Sequence, residues 1–334
     1  MIRHVIEHLG FKDEWILTVN HVLSFIPGVP VFFVISGFLV YRSYHRNSGN
    51  LTQYFINRAV RIFPALLPAA CLGIIAILWF YPFPIKQLLS GEVFLWFIGQ
   101  ITFFQFYTPE IIRFFGVGTP NGSLWTIPVE LQFYVLLPLI GYYLRKLRNK
   151  NLLLALIILL SIVANSMLKS VYFDDQLLGK LIGVSFIPYI YFFLIGVFIS
   201  MNWSMLEKGF RGKGIVWLSF FLVSVFILNY FSIPFTSYWY FSFFKVIYDL
   251  SLAGLVISVA YSQLGLKPVK FDISYGIYIY HMIFINIVIH MGYTNNIYNL
   301  LIVFLMTFTA ASMSWDFIER PALQLKKSIT TFYN

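Results

Sequence analysis

Apolar segments of roughly 20 residues recur along the whole of this 334-residue chain, and a segment of that length crosses about 30 Å of hydrocarbon at about 1.5 Å per residue. The segments lack the two-residue alternation of barrel strands, so helices remain the structure that satisfies its own backbone hydrogen bonds in lipid. The fold class expected is an all-α polytopic membrane protein. Composition agrees, since 59% hydrophobic and 20% aromatic residues against 11% charged is no soluble balance. Spans are predicted near residues 28–44, 62–80, 127–144, 152–168, 181–200, 214–231, 243–262, 272–291 and 297–316.

The net charge of +10 does not point to nucleic acid, because the basic residues lie in short clusters between apolar segments, where they set topology. With the loop holding Arg42, Arg46, Arg58 and Arg61 placed inside, alternation also brings inside Arg145, Lys146, Arg148 and Lys150, then Lys208, Arg211 and Lys213. Lys267, Lys270, Arg320, Lys326 and Lys327 follow, which makes sixteen of the 23 basic residues. Arg3, Lys12, Lys86, Arg113, Lys169 and Lys180 fall outside. Counting residues 92–107 (EVFLWFIGQITFFQFY) as a crossing would reverse every later loop. That aromatic piece is expected to be a short outer re-entrant or interfacial segment. One cysteine, Cys71, with no CxxC or Cys/His spacing, argues against disulfide and zinc chemistry. The polar opening MIRHVIEHLGFKDE lacks the apolar core of a signal peptide. The whole of 1–334 reads as a single membrane domain.

Charges within lipid cost about 2.5–3.5 kcal/mol each on insertion scales, so each needs a partner, water or a role. Glu130, just inside the outer end of its span in NGSLWTIPVELQFYVLLPLI, either serves function or caps helix structure at the interface. His281, among the tyrosines of SYGIYIYHMIF, reads alone as a neutral imidazole bonded to tyrosine or backbone. Lys245 and Asp249, four residues apart, suit a structural ion pair. Asp316, Glu319 and Arg320 suit a local salt-bridge cluster. His4 and His8 stand one turn apart in RHVIEHLG, but without HExxH or a third ligand no metal site is expected. A histidine base needs only a nearby hydroxyl. Arg58 and Arg61, one turn apart immediately before a span, are either inner-face anchors or a phosphate site, because guanidinium forks match phosphate oxygens.

Five stretches, PVFFVISGFLVYRSY, NRAVRIFPAL, NGSLWTIPVELQFYVLLPLIG, SYGIYIYHMIF and IERPALQLKK, resemble in order the landmark segments of the bacterial integral-membrane acyltransferase family 3, which includes O-acetylases of O-antigens and other surface glycans. The resemblance spans nearly the whole chain. It implies about ten transmembrane helices, the first largely missing here, in a multi-pass protein of the bacterial cytoplasmic membrane. It also implies transfer of an acyl group, most often acetyl, from cytoplasmic acetyl-CoA to a carbohydrate hydroxyl at the outer face. His4 best fits the family's catalytic histidine, Arg58 and Arg61 its CoA-phosphate arginines, and Glu130 its glutamate; His281 matches a histidine of less settled role. The family's first span carries an arginine upstream of that histidine, whereas three residues precede His4 here. Either Met1 is an internal methionine of a longer reading frame, which is the expectation because residues 1–10 read as the end of a helix, or the protein is a shortened variant.

The mechanism expected is direct transfer: Arg58 and Arg61 anchor CoA, His4 deprotonates a sugar hydroxyl, and Glu130 orients the acceptor or a catalytic imidazole, favouring an imidazolium if it lies near His4. Ser36 and Trp125 are candidate supports for the oxyanion, with Ser36 otherwise serving close helix packing beside Gly37. Trp125, Phe133 and Tyr134 could stack on sugar rings or simply pack the core. Two rival readings stay open, a transporter or flippase of a lipid-linked glycan and a non-catalytic membrane scaffold; the absence of a detectable internal repeat weighs against the transporter.

Overall fold

The structure, a computed structural model, describes residues 1–47, 50–82, 84–168, 176–234, 242–262 and 271–325. Lys169, Lys267, Lys270, Lys326 and Lys327, and the side chain of Arg145, lie outside the described residues. Among those described there is no strand, and the helices in chain order are α1 Ile2–His8, α2 Glu14–Ser24, α3 Gly28–Arg46, α4 Leu51–Phe80, α5 Gly91–Gln100, α6 Thr126–Lys146 and α7 Lys150–Met167. They continue as α8 Gln176–Gly183, α9 Ile190–Met201, α10 Trp203–Phe210, α11 Gly214–Tyr230, α12 Phe243–Ala260, α13 Ser274–His290 and α14 Ile297–Ser314. By length and apolar composition six described helical segments can cross a membrane, or seven with the bent α9–α10 pair; α11 and α13, at 17 residues each, fall just short. Large apolar side chains such as Leu160, Phe226 and Leu305 are exposed, as lipid-facing positions should be. The chain is a multi-pass helical membrane protein.

Most predicted spans coincide with helices, with three physical differences. The span expected at 181–200 breaks between α8 and α9, and α10 then turns by 100° from α9. Pro188, without an N–H to donate, precedes α9. The helix expected to start near residue 62 begins at Leu51, so Arg58 and Arg61 lie inside α4 rather than ahead of it; arginine is a good helix former, and hydropathy alone hides this. The aromatic stretch 92–107 forms only the short α5 followed by turns, consistent with a segment that does not cross.

The chain divides into two compact units. The first comprises Met1–Leu23, Phe55–Pro128 and Val269–Asn334. Here α13 packs on α14, and α1 packs on both. Gly276 permits the approach, since a Cβ there would stand 2.9 Å from the Ala311 Cα. A π-helical turn, Trp315–Glu319, follows α14. It buries Glu319 to 3% exposure, with Ser314 Oγ donating to Glu319 Oε1 at 3.1 Å. Asp316 and Arg320 are exposed, and no ion pair among the described residues joins these three, so the expected salt-bridge cluster does not form. Glu319 is instead buried with Ser314, while Asp316 and Arg320 stay at the surface.

The second unit comprises Ser24–Tyr54 and Val129–Pro268. Its centre is the contact of α3 with α9, where a Cβ on Gly37 would lie 1.9 Å from the Phe193 carbonyl oxygen and one on Gly196 would lie 2.1 Å from that of Val34. Two glycines thus let the helix backbones touch, the usual device for packing helices in lipid. Phe133 stacks on Phe193 with ring centroids 4.4 Å apart and meets Phe33 edge-on at 5.1 Å. Phe133 and Tyr134 are buried, so these rings pack the core. On the far side α11 and α12 enclose Phe221, Leu228, Tyr248 and Leu252.

Candidate active site

In the first unit α1 is pinned at its C-terminal end: Asn295 N–H donates to the Leu9 carbonyl at 2.8 Å, and Lys12 N–H to Asn295 Oδ1 at 3.1 Å. Asn295 has φ +51°, a conformation asparagine tolerates better than most residues. This anchor lays α1 against α13, and His4 Nδ1 comes within 2.9 Å of His281 Nε2. The two rings are near parallel, 15° apart, with centroids at 5.2 Å. His8 keeps further away, its ring 6.2 Å from that of His4, and Glu7 pairs with Arg3 at 2.7 Å. Within this unit the partner of His4 is therefore an imidazole.

His281 is held firmly. It is 1% exposed, and its Nδ1 lies 2.8 Å from the Tyr278 carbonyl and 3.1 Å from that of Ile277. The NGSLWT stretch clamps the same turn of α13: Asn121 Nδ2 donates to the Ile279 carbonyl at 2.7 Å, Ser123 Oγ to the Tyr278 carbonyl at 3.2 Å, and Thr126 Oγ1 bonds Tyr278 Oη at 2.5 Å. Asn286, two turns from the clamp, donates to the carbonyls of Thr119, Pro120 and Met282 and accepts from Val117 N–H at 2.7 Å. Such satisfied buried networks fix one geometry. The polar side chains of NGSLWT thus serve the His281 helix, a role across the fold that the local sequence does not assign. Their concentration in an apolar chain was the available signal. Trp125 closes the 3-10 turn Gly122–Trp125, half-buried.

At the other end of α13, Arg61 Nη2 pairs with Asp272 Oδ2 at 2.7 Å, and Asp272 Oδ1 accepts from Ser274 Oγ at 2.6 Å. Burial pushes the Asp272 carboxyl up, but the Ser274 hydrogen bond and the Arg61 guanidinium outweigh it and hold the group below its ordinary value of 3.8. A recess of about 500 Å³ lies beside it, lined by Phe271, Asp272, Ile273, Ser274, Ile277 and Phe308. Arg58 is half-buried on the same face of α4 as Arg61. Ser274 and His281 are seven residues apart in α13, about 10 Å of helical rise.

Glu130 belongs to the second unit. It is 9% exposed, and its Oε1 accepts from Ser36 Oγ at 3.4 Å and from Tyr134 Oη. Ser36 therefore holds the carboxylate, while the neighbouring Gly37 makes the helix contact. Tyr134 is fixed in turn, because its carbonyl accepts from Tyr54 Oη at 3.1 Å.

A family profile described as an acyltransferase domain matches residues 1–316. The chain belongs to that acyltransferase family. Nodulation protein 10 of Rhizobium leguminosarum bv. viciae is 29% identical over 337 residues, covering 96% of this chain and 88% of its own length. O-acetyltransferase OatA of Staphylococcus aureus is 26% identical over 336 residues, 88% of this chain and 52% of its own, so the chain spans about half of that relative. Peptidoglycan O-acetyltransferase OatA of Listeria monocytogenes is 29% identical over 143 residues, 41% of this chain and 23% of its own. No solved structure matches. Family membership bears out the resemblance drawn from the five ordered segments and makes the chain an O-acyltransferase.

Proposed function

We propose that this protein O-acetylates a carbohydrate of the bacterial cell envelope from the cytoplasmic membrane, using acetyl-CoA as donor and His4 as general base. The observation that carries the reading is the His4–His281 pair at 2.9 Å, inside a family whose relatives include two named O-acetyltransferases. The relative named as acting on peptidoglycan supports a glycan acceptor.

His4 takes the proton of an acceptor hydroxyl as that oxygen attacks the thioester carbonyl, then returns a proton to the departing thiolate. Arg61, with Arg58 on the same helix face, would hold donor phosphates through charge-assisted hydrogen bonds, the geometry guanidinium matches best. The half-buried position of both supports this, and so does the apolar recess beside Asp272. The short rise along α13 between that end and His281 suits a donor whose phosphates and acyl carbon are separated by a flexible arm. Orienting the acceptor is the proposed role of Glu130, whose side chain Ser36 and Tyr134 hold in place. Trp125 remains a candidate support.

The test is label transfer in membranes. Labelled acetyl-CoA supplied with envelope glycan should give alkali-labile label in the glycan, lost in His4→Ala and reduced in Arg58→Ala and Arg61→Ala. Undiminished labelling by folded His4→Ala protein would dismiss the base, and absence of CoA binding would return the transporter reading.

A further inference from the structure

His281 carries no assigned part in the chemistry, yet its hydrogen bonds determine which nitrogen of His4 is free. The Ile277 and Tyr278 carbonyls can only accept, so His281 Nδ1, at 3.1 and 2.8 Å from them, must carry a hydrogen. A neutral imidazole has one N–H, which leaves His281 Nε2 as an acceptor. His4 Nδ1 stands 2.9 Å from that acceptor and must donate. His4 is thereby held as its Nδ1–H tautomer, with the lone pair on Nε2.

We propose that His281 is a positioning residue that fixes the tautomer and ring orientation of His4, so that Nε2 receives the acceptor proton. This rests on the reading of His4 as general base. In the step, the hydroxyl O–H bond breaks and its proton bonds to His4 Nε2 while the oxygen forms the ester bond to the carbonyl of an acyl thioester. The C–S bond breaks, and the thiolate leaves with the proton that His4 returns. While His4 is an imidazolium, its Nδ1–H stays bonded to His281 Nε2, and a charge-assisted bond is the stronger kind. The device resembles a carboxylate orienting a catalytic imidazole, with a neutral ring in the carboxylate's place. A neutral acceptor suits a site 1% exposed on an apolar helix, because a buried carboxylate there would carry its own desolvation cost. The polar clamp of Asn121, Ser123 and Thr126 on the Tyr278 turn keeps the two carbonyls in register with His281.

The experiment compares His281→Gln, His281→Phe and His4→Ala in the full chain in nanodiscs, with acetyl transfer and thermal unfolding measured for each. Nitrogen NMR of histidine-labelled protein supplies the tautomer, with His4 assigned by its loss in His4→Ala. Glutamine retains a carbonyl acceptor for His4 Nδ1–H, and phenylalanine offers none. The expected result is kcat reduced about 100-fold in His281→Phe and within about tenfold of the native value in His281→Gln. KM for the donor should be little changed, and the native His4 should carry its hydrogen on Nδ1. Equal losses in the two folded His281 variants, or hydrogen on Nε2 of native His4, would overturn the proposal. Activity retained by His4→Ala would instead overturn the reading of His4 as base.

Discussion

Arg61 and Asp272 are joined at 2.7 Å in the first unit, so the arginine proposed to hold a donor phosphate already has an anionic partner. A phosphate must displace or share that carboxylate. Asp272→Asn is therefore expected to lower the donor KM several-fold with kcat little changed, as removal of a competitor should. Unchanged or raised KM would dissociate Arg61 from donor binding.

The same pair sets a pH dependence of stability. Asp272 titrates below its ordinary value of 3.8, so its folded form binds fewer protons than its unfolded form in that range. Its stabilisation is present above about pH 4 and is lost as pH falls through the depressed folded value. Both side chains are about one-third exposed, which keeps the contribution to about 1 kcal/mol or less. The unfolding temperature of the native protein should exceed that of Asp272→Asn at neutral pH, with the gap closing as pH falls below about 4. A gap independent of pH would mean that the Arg61 pair is not its origin.

Glu130 offers a separation of stability from activity. Its Oε1 accepts from Ser36 and Tyr134, and the carbonyl of a glutamine can accept both bonds. Glu130→Gln also removes a buried charge, whose desolvation opposes folding. The variant is expected to be at least as stable as the native protein and to transfer acetyl about 100-fold more slowly, in the range of a lost charge-dependent contact. Native turnover would reduce Glu130 to a structural acceptor.

The architecture was legible where a single physical cause dominated. Apolar length located most helices, charge bias separated 92–107 from the spans, and Lys245 and Asp249 pair as their spacing indicated. What stayed hidden depends on tertiary contact. His4 and His281 stand 277 residues apart, and no local pattern announces that α1 reaches α13. A lone histidine near the N-terminus gives no local sign that its partner within the first unit is a ring whose own tautomer is set by two backbone carbonyls. The burial of Glu319 at the end of a π turn was equally invisible, because such a turn leaves no compositional trace.

Gly37 and Gly196 predict a steep packing dependence. An added Cβ would stand 1.9 Å from the Phe193 oxygen and 2.1 Å from the Val34 oxygen, distances that force α3 and α9 apart. Gly37→Ala and Gly196→Ala should each cost about 3 kcal/mol or more. Gly209→Ala, where a Cβ meets nothing within 4 Å, should be neutral or slightly stabilising through the unfolded chain. Thermal unfolding in detergent distinguishes them, and Gly37→Ala melting with Gly209→Ala would refute the backbone contact.

Lys245 and Asp249 make a last, quantitative case. Lys245 Nζ lies 2.5 Å from Asp249 Oδ1, Tyr191 Oη donates to Asp249 Oδ2 at 3.3 Å, and both residues are 3% exposed. Lys245→Met strands a buried carboxylate and Asp249→Leu a buried ammonium, so each single change should cost about 3–5 kcal/mol. The Lys245→Met/Asp249→Leu double variant removes both charges and keeps most of the volume, leaving only the Tyr191 hydroxyl to find another acceptor. It should recover most of the loss and melt above either single variant. A double-mutant cycle on unfolding in detergent measures the coupling. Additive losses would show that the two charges are solvated independently. Acetyl transfer assayed on the same three proteins adds a second answer, since a purely structural pair predicts that activity per folded molecule stays level across the set.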